Sequence, residues 1–175
     1  MTDKIVLLKP SMEYSDDIMK FRQELLDINS EFAGCGNLKN SLTANEWLER
    51  IKLYENKDTC PPGGVPSYTY LAIRVSDKKI IGIIDFRHHI NHPILGLWGG
   101  HTGFTVRPDE RLKGYAKEML RQNLQNCKNF GLDKVLITCN QNNVGSEKTI
   151  IANGGKFEKE VDVDGRMIKR YWIYL

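Results

Sequence analysis

Around Pro108 the chain changes its hydrophobic period. Before it, GGHTGFTV (99–106) alternates as a strand does; after it, Ala116, Met119, Leu120, Leu124 and Cys127 recur at helical spacing, with Lys117, Glu118, Arg121, Gln122 and Gln125 on the opposite face. Gly131 stands where a helix of this kind stops in the left-handed C′ position. A strand that passes into a helix through the short charged turn VRPDER belongs to neither an all-α nor an all-β fold. It also sets a helix N-terminus, whose first amides no helix carbonyl reaches and whose dipole adds positive charge, beside the end of a strand.

The flanking sequence extends this pattern. IVLLK before Pro10 reads as a strand, and Ile18, Phe21, Leu25 and Ile28 behind Ser15 as a helix. Thr43 and Glu46 form a capping box ahead of Trp47, Leu48, Ile51 and Tyr54, a second helix. KDTCPPGGVPS is too rich in Pro and Gly for regular structure and is either an ordered active-site loop or a loose connection. YTYLAIRV and KIIGIIDFRH, separated by Ser76-Asp77-Lys78-Lys79, read as a hairpin, and HHINHPILGLW as a loop leading into a third antiparallel strand that begins at Gly99. KVLITCN is a buried strand, VGSEKTIIANGG a short helix, and KFEKEVDV with MIKRYWIYL a hairpin turning at Asp164-Gly165. The predicted fold class is α/β (α+β mixed), in the order β-α-α-β-β-β-α-β-α-β-β. The 175 residues suit one domain, 1–175, and no linker argues for a second.

Composition narrows the function classes. A hydrophobic share of 41% with 27% charged residues excludes disordered and collagen-like chains. No window approaches a membrane span, and the apolar run in MTDKIVLLKP ends too early for a signal peptide, so a cytoplasmic protein without a membrane partner is expected. Cys35, Cys60, Cys127 and Cys139 lack metal-site spacing, which predicts reduced thiols and no metal. A net charge of +3 suits an anionic cofactor but is too weak to argue for nucleic acid.

The glycines and charges of GGHTGFTVRPDERLKGYAKEML (99–120) point to phosphate. Gly114 removes a side chain where an anion could approach the backbone at a helix start, with Arg111 and Lys113 beside it. Gly99, Gly100 and Gly103 weaken a strand unless a backbone or a ligand comes close. A P-loop is excluded because Gly114 precedes Tyr115 rather than Lys-Ser or Lys-Thr, and a dinucleotide fingerprint because the preceding strands run β-β-β.

VRPDERLKGYAKEML resembles the cofactor motif [RQ]-x-x-G-x-[GA] of the GNAT superfamily of acetyl-CoA-dependent N-acetyltransferases, with Arg111, Gly114 and Ala116 at its defining positions. NNVGSEKTIIANGG resembles the second motif of that family, and the stretch at 99–116 with RYWIYL is similar to a bacterial subgroup of predicted acetyltransferases. The resemblance implies the GNAT fold: a central mixed, mostly antiparallel sheet of about seven strands with flanking helices. It implies acetyl-CoA (coenzyme A) as cosubstrate, its pantetheine arm on Phe104, Thr105 and Val106, and its pyrophosphate on the backbone of Leu112, Lys113, Gly114, Tyr115 and Ala116 near Arg111. Asn143 and Ser146 would form the opposite lip, although Asn143 also suits a plain helix cap.

The reaction so implied is acetyl transfer to a primary amine of a small molecule or peptide by direct attack in a ternary complex; a homodimer is allowed. Such enzymes commonly use a Tyr seven residues after the motif Asn as proton donor, and here that position is Ile150. Ser146 is close in sequence but a poor acid, and Tyr171 or Tyr174 could serve only if the fold brings one into the cleft. His101, on the motif strand with an ordinary pKa of about 6.5, is the candidate base beside the alternative of a structural histidine. Glu110 reads as a solvated turn residue, and His88, His89 and His92 as pocket or surface. The 29–43 and 56–68 loops and HHINHPILGLW are expected to shape the acceptor pocket. The missing tyrosine supports the alternative of a catalytically idle acyl-CoA-binding sensor or interaction module.

Overall fold

A computed structural model describes residues 3–175. In chain order it contains β1 (Ile5–Leu8), α1 (Ser15–Asp27), α2 (Ala44–Tyr54), β2 (Ser67–Arg74), β3 (Ile80–Arg87), β4 (Phe104–Val106), α3 (Tyr115–Phe130), β5 (Lys134–Asn140), α4 (Val144–Ala152), β6 (Lys156–Val163) and β7 (Arg166–Tyr174). This is the expected order, and every strand pairing among the described residues is antiparallel. The strands divide into two sheets, β1-β2-β3-β4 and β5-β7-β6.

Local chemistry explains most boundaries. Thr43 Oγ1 accepts from the Glu46 amide at 3.1 Å, and the Glu46 carboxylate accepts from the Leu42 amide at 2.8 Å, so the capping box closes one residue further out than its usual form. Such a cap contributes about 1 kcal/mol. α3 ends in a Schellman motif, in which Gly131 N–H donates to Lys128 and Leu132 N–H to Cys127. Asp164 and Gly165, at φ 52° and 81°, make the tight turn between β6 and β7.

Two boundaries differ from expectation. Leu95–Gly99 is a π-helical turn rather than loop or strand, and β4 begins only at Phe104. Pro93 and Gly96 suggest a break by composition, but Gly96 N–H bonds to His92 and the His92 ring accepts from Ile94 N–H, which starts the turn.

The apolar faces of α1 and α2 cover one side of the first sheet through Ile18, Phe21, Leu25 and Trp47. α3 covers its other side through Tyr115 and Met119 and reaches the second sheet through Leu120 and Cys127. Arg107, just past β4, is wholly buried, its guanidinium shared between Glu24 at 2.6 Å, Asp17 at 2.9 Å and the Ile80 carbonyl at 2.8 Å. Removing a partner from a buried ion pair typically costs about 3–5 kcal/mol, so this contact pins α1 to the root of the motif turn. Among the described residues, no helix is long and apolar enough to cross a membrane.

Candidate active site

The site begins where the two sheets part. His101 N–H donates to the Leu136 carbonyl at 2.8 Å, and Leu136 N–H donates back to His101 Nδ1 at 2.9 Å. Thr138 Oγ1 donates to the Trp98 carbonyl beside them. Gly100 lets the chains meet this closely: a Cβ there would stand 2.6 Å from the Leu136 oxygen. A Cβ on Gly103 would strike the Gly34 amide at 2.8 Å. Gly100 and Gly103 therefore admit neighbouring backbone, the first of the two reasons that sequence allowed, whereas Gly99 faces the Leu95 side chain.

Beyond Gly103, β4 pairs with β3 alone. Gly103 C=O and Arg107 N–H bond to β3, so by antiparallel alternation Phe104 N–H and C=O and Val106 N–H lie on the opposite, unpaired edge. The Val106 carbonyl is taken by Arg111 Nε at 3.1 Å. The chain then makes a one-turn helix at Pro108–Glu110, passes through Leu112 at φ 61° and Gly114 at φ 86°, and enters α3 with no side-chain cap. The amides of Leu112, Gly114, Tyr115 and Ala116 lie where no helix carbonyl reaches them.

These elements enclose a cleft of about 430 Å³, lined by Phe104, Thr105, Val106, Arg111, Leu112, Gly114, Tyr115 and Ala116 on one wall and Asn143, Gly145, Ser146 and Thr149 on the other. Asn143 caps α4 by accepting from Ser146 N–H at 3.1 Å, so the cap and the cleft position coincide in one residue. A second cavity of about 680 Å³ adjoins it and shares Ser30, Glu31, Ala33, Phe104, Asn143 and Ser146. Of the 29–43 loop, Asn29, Ser30, Glu31, Phe32 and Ala33, then Asn37, Lys39 and Asn40, line this second space, while among the described residues none of 56–68 does. The 56–68 segment is ordered away from both cavities, with Thr59 Oγ1 bound to Leu53 and Val65 buried.

Several expected site residues are placed differently. His101 is 6% exposed and lines neither cavity. Its Nδ1 lone pair holds the Leu136 amide, so the neutral ring carries its proton on Nε2 and has no site left to accept another. Burial, with Arg87 and His89 nearby, lowers its pKa to about 4. Of the two readings open for His101, candidate base or structural histidine, these contacts are those of a structural histidine that pins the two sheets together.

Glu110 is 4% exposed rather than solvated. Burial alone would raise its pKa, but Lys79 at 2.9 Å, Lys113 at 3.0 Å and Arg74 at 3.1 Å bring it down to about 2. Lys113 is thereby drawn toward Glu110, and it is the one expected coenzyme residue that does not line the cleft. Arg111 lines it, with Nη2 donating to Ser30 Oγ at 2.7 Å.

Tyr171 donates to Glu147, Tyr174 is exposed, and neither reaches a cavity; Ile150 is fully buried against Gly155. His88 packs among Tyr68, Phe86 and Phe130, and Nδ1 of His89 and of His92 accepts from its own loop's amides. Ser146 stands where the two cavities meet.

Asp85 escapes sequence reading. It is buried, its Oδ1 accepts from Gly103 N–H at 2.9 Å and its Oδ2 faces Arg87 Nε at 3.2 Å, which fixes the start of β4. Burial raises its pKa against the opposing pull of Arg87 and the Gly103 amide. The lone carboxylate in the apolar run IIGIIDF was the available signal.

The sequence model of the acetyltransferase (GNAT) domain matches residues 10–156. No curated protein matches the chain in sequence. Among solved structures, the chain is similar to Mycobacterium smegmatis RimJ in complex with CoA-disulfide, at 17% identity and TM-score 0.71, covering 97% of this chain and 81% of that one. It is likewise similar to the microcin C7 self immunity acetyltransferase MccE in complex with acetyl-CoA and AMP, at 16% identity and TM-score 0.69, covering 99% and 93%. A ribosomal-protein-S5-alanine acetyltransferase from Vibrio fischeri matches at 17% identity and TM-score 0.66, covering 99% and 93%. With the family model spanning most of its length and both motif segments walling one cleft, this chain belongs to the GNAT acetyltransferase family.

Proposed function

We propose that the protein transfers an acetyl group from acetyl-CoA to a primary amine of a small molecule or peptide, by direct attack with both substrates bound. One observation carries this reading: the unpaired edge of β4 and the glycine turn at the start of α3 are consecutive walls of one cleft. An amide-bearing arm needs an extended edge with free donors and acceptors, and Phe104 and Val106 offer them. A pyrophosphate needs converging N–H groups at a helix start, and Leu112, Gly114, Tyr115 and Ala116 offer those. The residues present therefore fit the coenzyme.

Acetyl-CoA supplies the acyl group as a thioester. The nitrogen–carbon bond forms as the carbon–sulfur bond breaks; one ammonium proton leaves to water before attack, and a second ends on the departing sulfur. The free N–H groups of β4 are the donors available to a carbonyl oxygen gaining negative charge. Ser146, at the meeting of the cavities, is the group proposed to hold the proton for the sulfur.

Calorimetry with acetyl-CoA followed by thiol release over a panel of amines tests the reading. Binding with amine-dependent thiol release is the expected result. Binding without release favours the idle acyl-CoA-binding module, which the sealed position of Ile150 supports. No binding removes both.

A further inference from the structure

The charges of the second cavity follow an order. Glu31 lines both cavities and so stands at their junction with Ser146, whereas Lys39, Arg87 and Arg166 line the second alone. Arg87 is partly engaged, with Nε 3.2 Å from Asp85 and Nη1 donating to Gly99 and Gly100. Among the described residues, neither Lys39 nor Arg166 forms an ion pair, and the Glu31 carboxylate meets no cation. The Arg166 guanidinium lies over the Trp98 ring at 5.8 Å, which gives a long side chain a fixed seat on the cavity wall.

From this order we infer that the acceptor is a small zwitterionic amine: its ammonium beside Glu31 at the acetyl end, and a carboxylate or phosphate between Lys39 and Arg166 at the far end. The inference rests on the amine acetyltransferase reading above and adds the substrate class. A carboxylate at the junction draws a cationic nitrogen toward the sulfur end of the cleft, and two cations without counter-ions beyond it draw an anion away. A simple monoamine gains from the Glu31 end alone, and a polyamine would set a second ammonium against Lys39 and Arg166. The volume of about 680 Å³ is that of a small-molecule site.

The test compares β-alanine, glutamate and O-phosphoethanolamine with propylamine and 1,4-diaminobutane by thiol release, alongside calorimetry with acetyl-CoA alone. The anionic amines should exceed propylamine in kcat/KM by on the order of 10-fold or more, as expected for charge-assisted contacts. The carboxylate and phosphate arms identify the anion. Arg166→Gln combined with Lys39→Gln should raise KM for the anionic amines about 10-fold with acetyl-CoA affinity held within twofold, and Arg166→Lys should restore part of it. Equal or better turnover of propylamine or 1,4-diaminobutane overturns the inference, as does a KM rise in the double variant that is the same for every amine. Acetyl-CoA binding with no turnover of any of the five also overturns it. Failure to bind acetyl-CoA defeats the underlying reading instead.

Discussion

The seam between β4 and β5 is treated oppositely at its two ends. At the His101 end it is sewn, by two hydrogen bonds to Leu136 and a glycine that lets the backbones touch. At the Phe104 end, three residues further on, the chain enters β4, keeps one edge unpaired and walls a cleft. The difference teaches that openness here is anchored: a sheet edge stays available for a ligand because a fixed point nearby stops the strands from closing or drifting.

The largest effect on ligand binding is expected at the open end. Gly114→Asp places a carboxylate and a strained left-handed residue in the glycine turn before α3, and should raise the acetyl-CoA Kd beyond about 100-fold by calorimetry while circular dichroism stays native. At the sewn end, Gly100→Val forces a side chain into the Leu136 carbonyl at φ 68°, where the backbone strongly favours glycine. A loss of about 4 kcal/mol in urea unfolding is expected, and an unchanged midpoint would unpick the anchoring idea.

The pH response probes the same stitch more gently. Folded His101 titrates near 4 and an unfolded histidine near 6.5, so the stabilisation is complete above pH 6.5 and is lost as the pH falls toward 4, by up to about 3 kcal/mol. His101→Gln should flatten that part of the stability profile. Smallest is Ser146→Ala, expected to lower kcat about 10-fold in the thiol release assay with KM for acetyl-CoA nearly constant.

What sequence revealed, and what it hid, follows the range of the interactions. The motif helix is legible because its stripe, its caps and its glycine turn are all local, and Arg111, Gly114 and Ala116 all line the cleft. Glu110 was misread because its cationic partners Arg74 and Lys79 lie on a hairpin more than 30 residues earlier, so nothing beside it in sequence shows that it is buried. His101 stays open between base and structural histidine for the same reason: the amide that claims its ring nitrogen belongs to Leu136. Glu31 carried no signal, since a lone acid in a loop is ordinary until two cavities meet at it.

The wall carrying Glu31 is held from far along the chain. Ala33 is bound by Thr105 Oγ1, 72 positions later, Ser30 by Arg111, 81 later, and the end of α1 by Arg107 through Glu24, 83 later. Closing loops of that length is entropically slow. During synthesis the pocket wall thus emerges early and waits for most of the chain before it acquires its clasps. A nascent protein halted before residue 105 would carry this loop without any of the three.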